Sequence, residues 1–501
     1  MKEEVTKQVD VQAFINESGA AAILTKLKTD IATREAATNK KFIVSDVFDN
    51  EGNQYVDLVQ EGGGVWGIAL LGYTYVLEKM GVRFFSLAGT SAGAINTMLL
   101  AATGHKQEEK TERIIQDLLE LEMFSFVDGK PMNSRFTKAI KRIIQHFVLR
   151  KNYVKRIVTY LAVLFGLMTV LSFASFIMTI IFWNTWVKSV ALLALILWLL
   201  VIILSVFFIL RFKTLIRAGY GLNEGTKFHQ WITGILQRNK IETLADLKGH
   251  FSQTPASLQV GRDATRDATL VQGMVIPPGN PMLTIITSEI TTGNKIEFPR
   301  MWDMYWDTTS HVNPADFVRA SMSIPIFFET FKIPVSRNID KRDKIWKDHI
   351  NWNGDIPEYV QFVDGGALSN FPINVFYNPK YIIPRMPTFG IRLGGTKIQI
   401  ARNIKSVGGY ISALISTIRS NTDKDFINKN KSFDLGIEVV DMRPHSWLNF
   451  FMEPKEKQEL FRRGAAAAAR FLLKFDWEDY KIQRLKNNAV LEEQRVNPNN
   501  W

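Results

Sequence analysis

Three short stretches of this chain carry residue types whose spacing could do chemistry. Gly89-Thr90-Ser91-Ala92-Gly93 follows the run Arg83 to Ala88 and precedes an apolar, helix-forming segment. A serine with glycines two residues before and two after, set between a strand and a helix, is a nucleophile-elbow pattern. On such a sharp turn the hydroxyl stands exposed on strained backbone, and neighbours without side chains leave it room. The helix that starts beside Ser91 turns its positive dipole end toward the negative charge that grows when a serine attacks a carbonyl.

The second stretch, Glu61-Gly62-Gly63-Gly64-Val65-Trp66-Gly67, follows the short run Tyr55 to Gln60 and opens a helix from Ile68 to Lys79. It satisfies G-x-G-x-x-G, so a dinucleotide site has to be weighed. That site needs a carboxylate near the end of the following strand, and Leu87-Ala88-Gly89-Thr90-Ser91 supplies none. The favoured reading is an oxyanion hole, with the N–H groups of Gly62, Gly63 and Gly64 facing the developing charge. If the two strands are parallel neighbours, both turns lie at adjacent strand ends. The third stretch is Phe362-Val363-Asp364-Gly365-Gly366, where a strand-end Asp before two glycines is by itself a turn former. His445 follows Asp364 and could complete a Ser, Asp, His series in chain order. It sits in the loop Met442 to Trp447, after a strand from Leu435 to Val440, and a structural role suits it better.

Together these residues resemble the patatin-like phospholipases. Glu61 to Gly67 is similar to that family's oxyanion motif, Gly89 to Gly93 to its elbow, and Phe362 to Gly366 to its D-G-G/A motif. Gly221-Leu222-Asn223-Glu224-Gly225, Thr291-Thr292-Gly293, Arg319-Ala320-Ser321-Met322-Ser323-Ile324-Pro325 and Asn370-Phe371-Pro372 follow in family order, from about Val56 to Leu393. Two positions depart from the pattern: Trp66 stands where a basic residue is common, and Glu61 where Asp is usual. The resemblance implies a three-layer α/β sandwich around a central, mostly parallel sheet. It also implies that Ser91 is the nucleophile, that Asp364 takes its proton directly, and that Gly67, Gly89, Gly93, Gly365 and Gly366 are motif glycines. No cofactor is expected, and no cluster of metal-ligand type stands out.

The elements around these motifs suggest where the chemistry happens. From Ile157 to Trp183 and from Val190 to Leu210 no charged residue appears, and each run exceeds the roughly 20 residues that cross a hydrocarbon core. Only Asn184 to Ser189 joins them, so the expectation is a transmembrane hairpin inserted into the catalytic domain. Before it, Arg135 to Arg156 is basic and amphipathic, with Arg135, Lys138, Lys141, Arg142, Arg150, Lys151, Lys155 and Arg156; after it come Arg211, Lys213 and Arg217, against Lys188 alone in the joint. This bias predicts a catalytic domain on the cytoplasmic side. The 61 Lys and Arg against 49 Asp and Glu give a net charge of +12, which suits an anionic bilayer surface and needs no nucleic acid to explain it. With no cysteine in the chain, disulfides, thiolate metal sites and thiol nucleophiles are excluded.

The expected organisation is a helical arm over 1–54, a first catalytic part over 55–134, the basic helix and hairpin over 135–217 (spans 157–183 and 190–210), a second catalytic part over 218–395, and a C-terminal extension over 396–501. The segment Ser336 to Tyr359 reads as a polar, aromatic loop over the surface, and Ala465 to Ala469 suits close helix packing. The functional expectation is a membrane-anchored serine acyl hydrolase acting on membrane phospholipid. Two other readings remain: an inactive lipid-binding scaffold, and a tethered esterase for other esters.

Overall fold

The computed structural model describes residues 10–119, 219–260, 279–336, 342–378, 383–394, 404, 407–447, 449, 452–496 and a set of helical positions between 163 and 206. The strands are β1 (Val47–Phe48), β2 (Gln54–Gln60), β3 (Val82–Thr90), β4 (Gly221–Asn223), β5 (Gln259–Val260) and β6 (Leu283–Glu289). They continue as β7 (Asn294–Phe298), β8 (Ile326–Phe328), β9 (Phe331–Pro334), β10 (Tyr359–Val363), β11 (Thr388–Gly394) and β12 (Ile437–Asp441). The helices are α1 (Val11–Ser18), α2 (Ala20–Thr38), α3 (Gly67–Lys79), α4 (Ala92–Ala102), α5 (Thr111–Leu119) and α6 (Thr226–Arg238). After them come α7 (Leu244–Phe251), α8 (Ala315–Ser321), α9 (Arg342–Ile350), α10 (Val407–Lys429), α11 (Pro454–Lys474) and α12 (Trp477–Val496). The chain forms two compact units: Met1–Asp128, Gly225–Pro325 and Thr330–Trp501 make one, and Gly129–Glu224 with Ile326–Glu329 the other.

The first unit is built on a sheet of order β12-β11-β2-β3-β6-β10-β9. β12, β11, β2, β3 and β6 run parallel. β10 runs antiparallel beside β6, as β7 does, and β9 pairs antiparallel with β10. The sheet is therefore mixed, parallel from the β12 edge through β6 and antiparallel beyond it. β3 and β6 are buried at every position, as strands covered on both faces are, although they carry polar residues such as Arg83, Ser86, Thr284 and Glu289 among their apolar ones.

Helix α11 packs on α3 with almost no side chain between them. A Cβ built on Gly72 would fall 1.9 Å from Phe461 O, and one on Gly464 would fall 1.8 Å from Ala69 O. Two glycines, more than the alanine run beside them, bring these backbones together. The N-terminal arm is a pair of helices broken at Gly19, whose φ is 80°. It packs on the same α11, with Phe14 edge-on to Phe461 at 5.3 Å between ring centroids.

The stretch expected as an aromatic surface loop contains α9. Its Trp346 is fully buried and donates its indole N–H to Met304 O at 2.8 Å. Through Trp346 that stretch is tied into the core and does not run as a loop over the surface.

In the second unit β4 and β8 pair in parallel. The described positions between 163 and 206 are helical and expose apolar side chains, among them Val170 and Phe173 at 66% and Ile203 at 65%. Among the described residues no helix is long and apolar enough to cross a membrane. Most of the expected hairpin, and the whole basic stretch 135–156, lie outside the described residues.

Candidate active site

The register of β2 on β3 pairs Gln60 with Gly89, so the glycine turn and the elbow leave neighbouring parallel strands at the same end. Ser91 caps α4 with φ 54° and ψ −118°, a conformation that a side chain adopts only when its surroundings impose it. They do so here through Ser321: Ser91 N–H donates to Ser321 Oγ at 2.8 Å, and Ser321 Oγ–H donates to Ile286 O at 2.6 Å. A Cβ on Gly89 would meet Gly93 O at 2.3 Å, and one on Gly93 would meet Gln60 O at 2.2 Å. The elbow thus needs both glycines because backbone, not side chain, fills the space.

β10 runs back along β6 and delivers Asp364 to the level of Ser91. Asp364 N–H donates to Ser323 O at 2.8 Å, and Gly366 N–H donates to Asp364 Oδ1 at 2.8 Å. Its other oxygen, Oδ2, accepts from Ser91 Oγ at 2.5 Å. Burial pushes the Asp364 carboxyl above the ordinary carboxylate range, while the Ser91 hydroxyl, the Arg419 guanidinium and the Gly366 N–H pull the other way. Gly365 permits the approach, since a Cβ there would meet Ile286 O at 2.1 Å. Gly366 is equally confined, with Asn370 Oδ1 2.5 Å from the place its Cβ would take.

The glycine turn corrects one expectation. Gly62 N–H donates to Asn370 O at 3.0 Å, which removes it from any oxyanion hole. The N–H groups of Gly63 and Gly64 have no acceptor among the described residues. Gly64 needs glycine twice over: its φ is 55°, and a Cβ would sit 2.3 Å from Trp447 O. That same carbonyl accepts from Val65 N–H at 3.1 Å. Gly67 lets α3 approach α4, with Ala92 Cβ 3.3 Å from its missing Cβ.

Glu61 anchors the base of the turn. Its carboxylate accepts from Leu393 N–H at 2.6 Å and Asn370 Nδ2 at 3.2 Å, and lies 3.8 Å from Arg392 Nε. Burial raises its pKa against that support. Beside the turn a cavity of about 50 Å³ is lined by Gly64, Ile68, Leu71, Ala92, Ile95 and Leu118 among others.

Sequence reasoning missed two residues that hold the site, both on α10. Arg419 Nη2 donates to Asn370 Oδ1 at 2.6 Å. Asp423 accepts from Ser369 Oγ at 2.8 Å, Asn370 N–H at 3.0 Å and Phe371 N–H at 2.9 Å. The available signal was their i, i+4 spacing, one charge of each sign on one helical face. His445 lies elsewhere: its Nδ1 is 3.0 Å from Glu456 Oε1 on α11, and no bond among the described residues links it to Ser91 or Asp364.

The patatin-like phospholipase family matches residues 58–377, a span that contains the glycine turn, the elbow and Asp364. The chain belongs to this family. As a patatin-like phospholipase it is 24% identical over 371 residues to the uncharacterized protein YqhO of Bacillus subtilis (strain 168), covering 74% of this chain and 82% of that one. Among solved structures it is similar to VipD from Legionella pneumophila, with a TM-score of 0.35, 14% identity and coverage of 91% and 79% of the two chains. It is also similar to the ExoU-SpcU complex of the Pseudomonas aeruginosa type III secretion system, at TM-score 0.27 and 13% identity, covering 89% of this chain and 59% of that one.

Proposed function

We propose that this patatin-like protein is a membrane-anchored serine acyl hydrolase that cleaves fatty-acyl esters of phospholipids or lysophospholipids through Ser91 and Asp364. The observation that carries the reading is the 2.5 Å bond from Ser91 Oγ to Asp364 Oδ2, with the other carboxylate oxygen held by Gly366 N–H. Ser91 Oγ attacks the ester carbonyl carbon while Asp364 takes its proton. The N–H groups of Gly63 and Gly64 hold the resulting oxyanion. Collapse of the tetrahedral adduct breaks the ester C–O bond, and Asp364 returns the proton to the departing alcohol. Water, activated by the same carboxylate, then hydrolyses the acyl-serine and frees the fatty acid. The apolar cavity beside Gly64 suits the first carbons of the acyl chain.

The anchor reading is supported by the uncharged runs 157–183 and 190–210 and by the exposed apolar side chains described within them. The excess of Lys and Arg on their outer flanks favours a catalytic unit on the cytoplasmic side, where phospholipid is concentrated at the leaflet.

Fatty-acid release from mixed phospholipid vesicles, compared across the wild type, Ser91→Ala, Asp364→Asn and His445→Ala, tests the proposal. Loss in the first two variants with activity kept in His445→Ala is the expected result. Release by Ser91→Ala at the wild-type rate, or no release by the wild type from any phospholipid, overturns it. Turnover of short dissolved esters without phospholipid cleavage favours the tethered esterase instead.

A further inference from the structure

All the sulfur in this chain is thioether, with 15 methionines and no cysteine. A two-electron oxidant such as a peroxide therefore meets no thiol first, and methionine is the sulfur it converts.

Met322 touches the nucleophile. Its Sδ lies 3.3 Å from Ser91 Oγ, beside a hydroxyl that donates to Asp364 Oδ2 at 2.5 Å. The segment that carries this thioether is fixed on both sides by the site itself. Ser321 Oγ accepts Ser91 N–H at 2.8 Å, and Ser323 O accepts Asp364 N–H at 2.8 Å. Arg319 Nη1 donates to Ser323 Oγ at 2.6 Å, and Met322 N–H donates to Val318 O at 2.9 Å. Met322 thus sits between the residues that hold the nucleophile and the base, and its backbone cannot withdraw the sulfur from Oγ. The acyl transfer makes no use of this sulfur. A thioether is only a weak acceptor, so beside Ser91 it acts as an apolar neighbour.

We propose that Met322 Sδ is an oxidation site at which a peroxide reversibly switches off Ser91. The inference rests on the hydrolase reading, because Met322 and Ser91 are exposed by only 4% and 3%, and the opening that admits an ester to Oγ also admits hydrogen peroxide to the sulfur in contact with it. A sulfur lone pair attacks one peroxide oxygen, and the O–O bond breaks as the S–O bond forms. The departing hydroxide takes the proton left on the transferred oxygen and leaves as water, so the sulfur loses two electrons and the peroxide gains them. The product is a polar sulfoxide. Its oxygen enlarges the group already touching Oγ and turns a weak acceptor into a strong one, which fills the approach to Ser91 and competes with Asp364 for its proton. A methionine sulfoxide reductase, drawing electrons from a thiol, returns the thioether.

The test treats the purified full chain with graded hydrogen peroxide. Peptide mass spectrometry reads the sulfoxide at each methionine, and Ser91 is followed by turnover of a dissolved short ester and by labelling with a fluorophosphonate. Turnover should fall about a hundredfold in molecules oxidised at 322, the low end of what a general base contributes, and labelling should fall with it. Methionine sulfoxide reductase with dithiothreitol should restore both. Met322→Leu, measured against its own untreated rate, should keep its activity through the same treatment. Met282→Leu, which removes a methionine exposed by 46%, should lose activity as the wild type does.

Unchanged turnover with 322 fully oxidised overturns the proposal. So does an unoxidised Met322 in a chain whose Met282 is fully converted, or an equal loss in Met322→Leu. If Met322→Leu is inactive before treatment, the match between loss, sulfoxide at 322 and recovery in the wild type still decides. A wild type that cleaves no phospholipid, yet labels at Ser91 and loses that labelling on oxidation at 322, fails the substrate reading and leaves this one standing.

Discussion

Arg419 on α10 and Asn370, six residues past Asp364, are joined by a 2.6 Å hydrogen bond from Nη2 to Oδ1. Asn370 in turn gives its carbonyl to Gly62 N–H and its Nδ2 to Glu61. One guanidinium therefore supports both the carboxylate side of the site and the base of the glycine turn.

This places Arg419 in the pH dependence of the proposed reaction. Asp364 must be ionised to accept the serine proton, so turnover falls as pH drops through its pKa. Burial raises that pKa and Arg419 lowers it. The acid limb of kcat/KM should lie above the ordinary carboxylate value of about 4. In Arg419→Ala it should move to still higher pH, because the charge that favours the ionised form is gone. An unmoved limb would count against Asp364 as the titrating group.

Gly64→Ala should lower phospholipid turnover about a hundredfold, the order expected when an oxyanion donor is displaced. The added methyl meets Trp447 O and the left-handed backbone opposes it. Comparing kcat with KM for a dissolved ester separates this from weaker binding, since the loss should fall on kcat.

Gly464→Ala should destabilise the fold by about 2 kcal/mol or more, because a methyl cannot enter the α3–α11 contact without parting the helices. The two backbones touch at Ala69 O. Thermal unfolding of the purified protein reads the effect, and a melting temperature equal to the wild type's would show that α11 shifts freely.

Asp57 on β2 has its pKa pushed up to about 7 by burial, against the opposing bonds from Ser86. Between the unfolded value of 3.8 and about 7 the folded chain holds the proton that the unfolded chain releases. Stability should therefore decline as pH rises through that window and stay lower above it. Asp57→Asn removes the cost of ionisation. Its melting temperature should exceed the wild type's at pH 8 and match it near pH 4.

The site was legible in sequence where its chemistry is local. Ser91 between Gly89 and Gly93, Gly62 to Gly67, and the Asp364 turn each announce themselves within a few residues, because tight turns demand small residues at fixed offsets. What could not be read was the traffic between distant segments. Nothing near Gly62 signals that its N–H is taken by Asn370, and the i, i+4 spacing of Arg419 and Asp423 marks a charged face of α10 without saying that it ends against residues 369–371. The buried Trp346 misled in the other direction, since an aromatic amid polar residues reads as surface until its partner Met304 O is known. The mostly parallel sheet was expected from the family resemblance, whereas the antiparallel pairings of β10 with β6 and β9 depend on contacts that no strand encodes alone.

The bond from Val65 N–H to Trp447 O reaches past the end of the family match at residue 377. A chain stopped there would keep Ser91, Asp364 and every glycine of the turn, yet lose a strut under the proposed hole. The strut is a backbone carbonyl, a group that every amino acid carries. Residue 447 can therefore drift in identity while its mechanical duty persists, and that duty leaves no motif for sequence to register. The borders of the recognisable domain and of the proposed active site need not coincide, and here the loop before α11 belongs to the second alone.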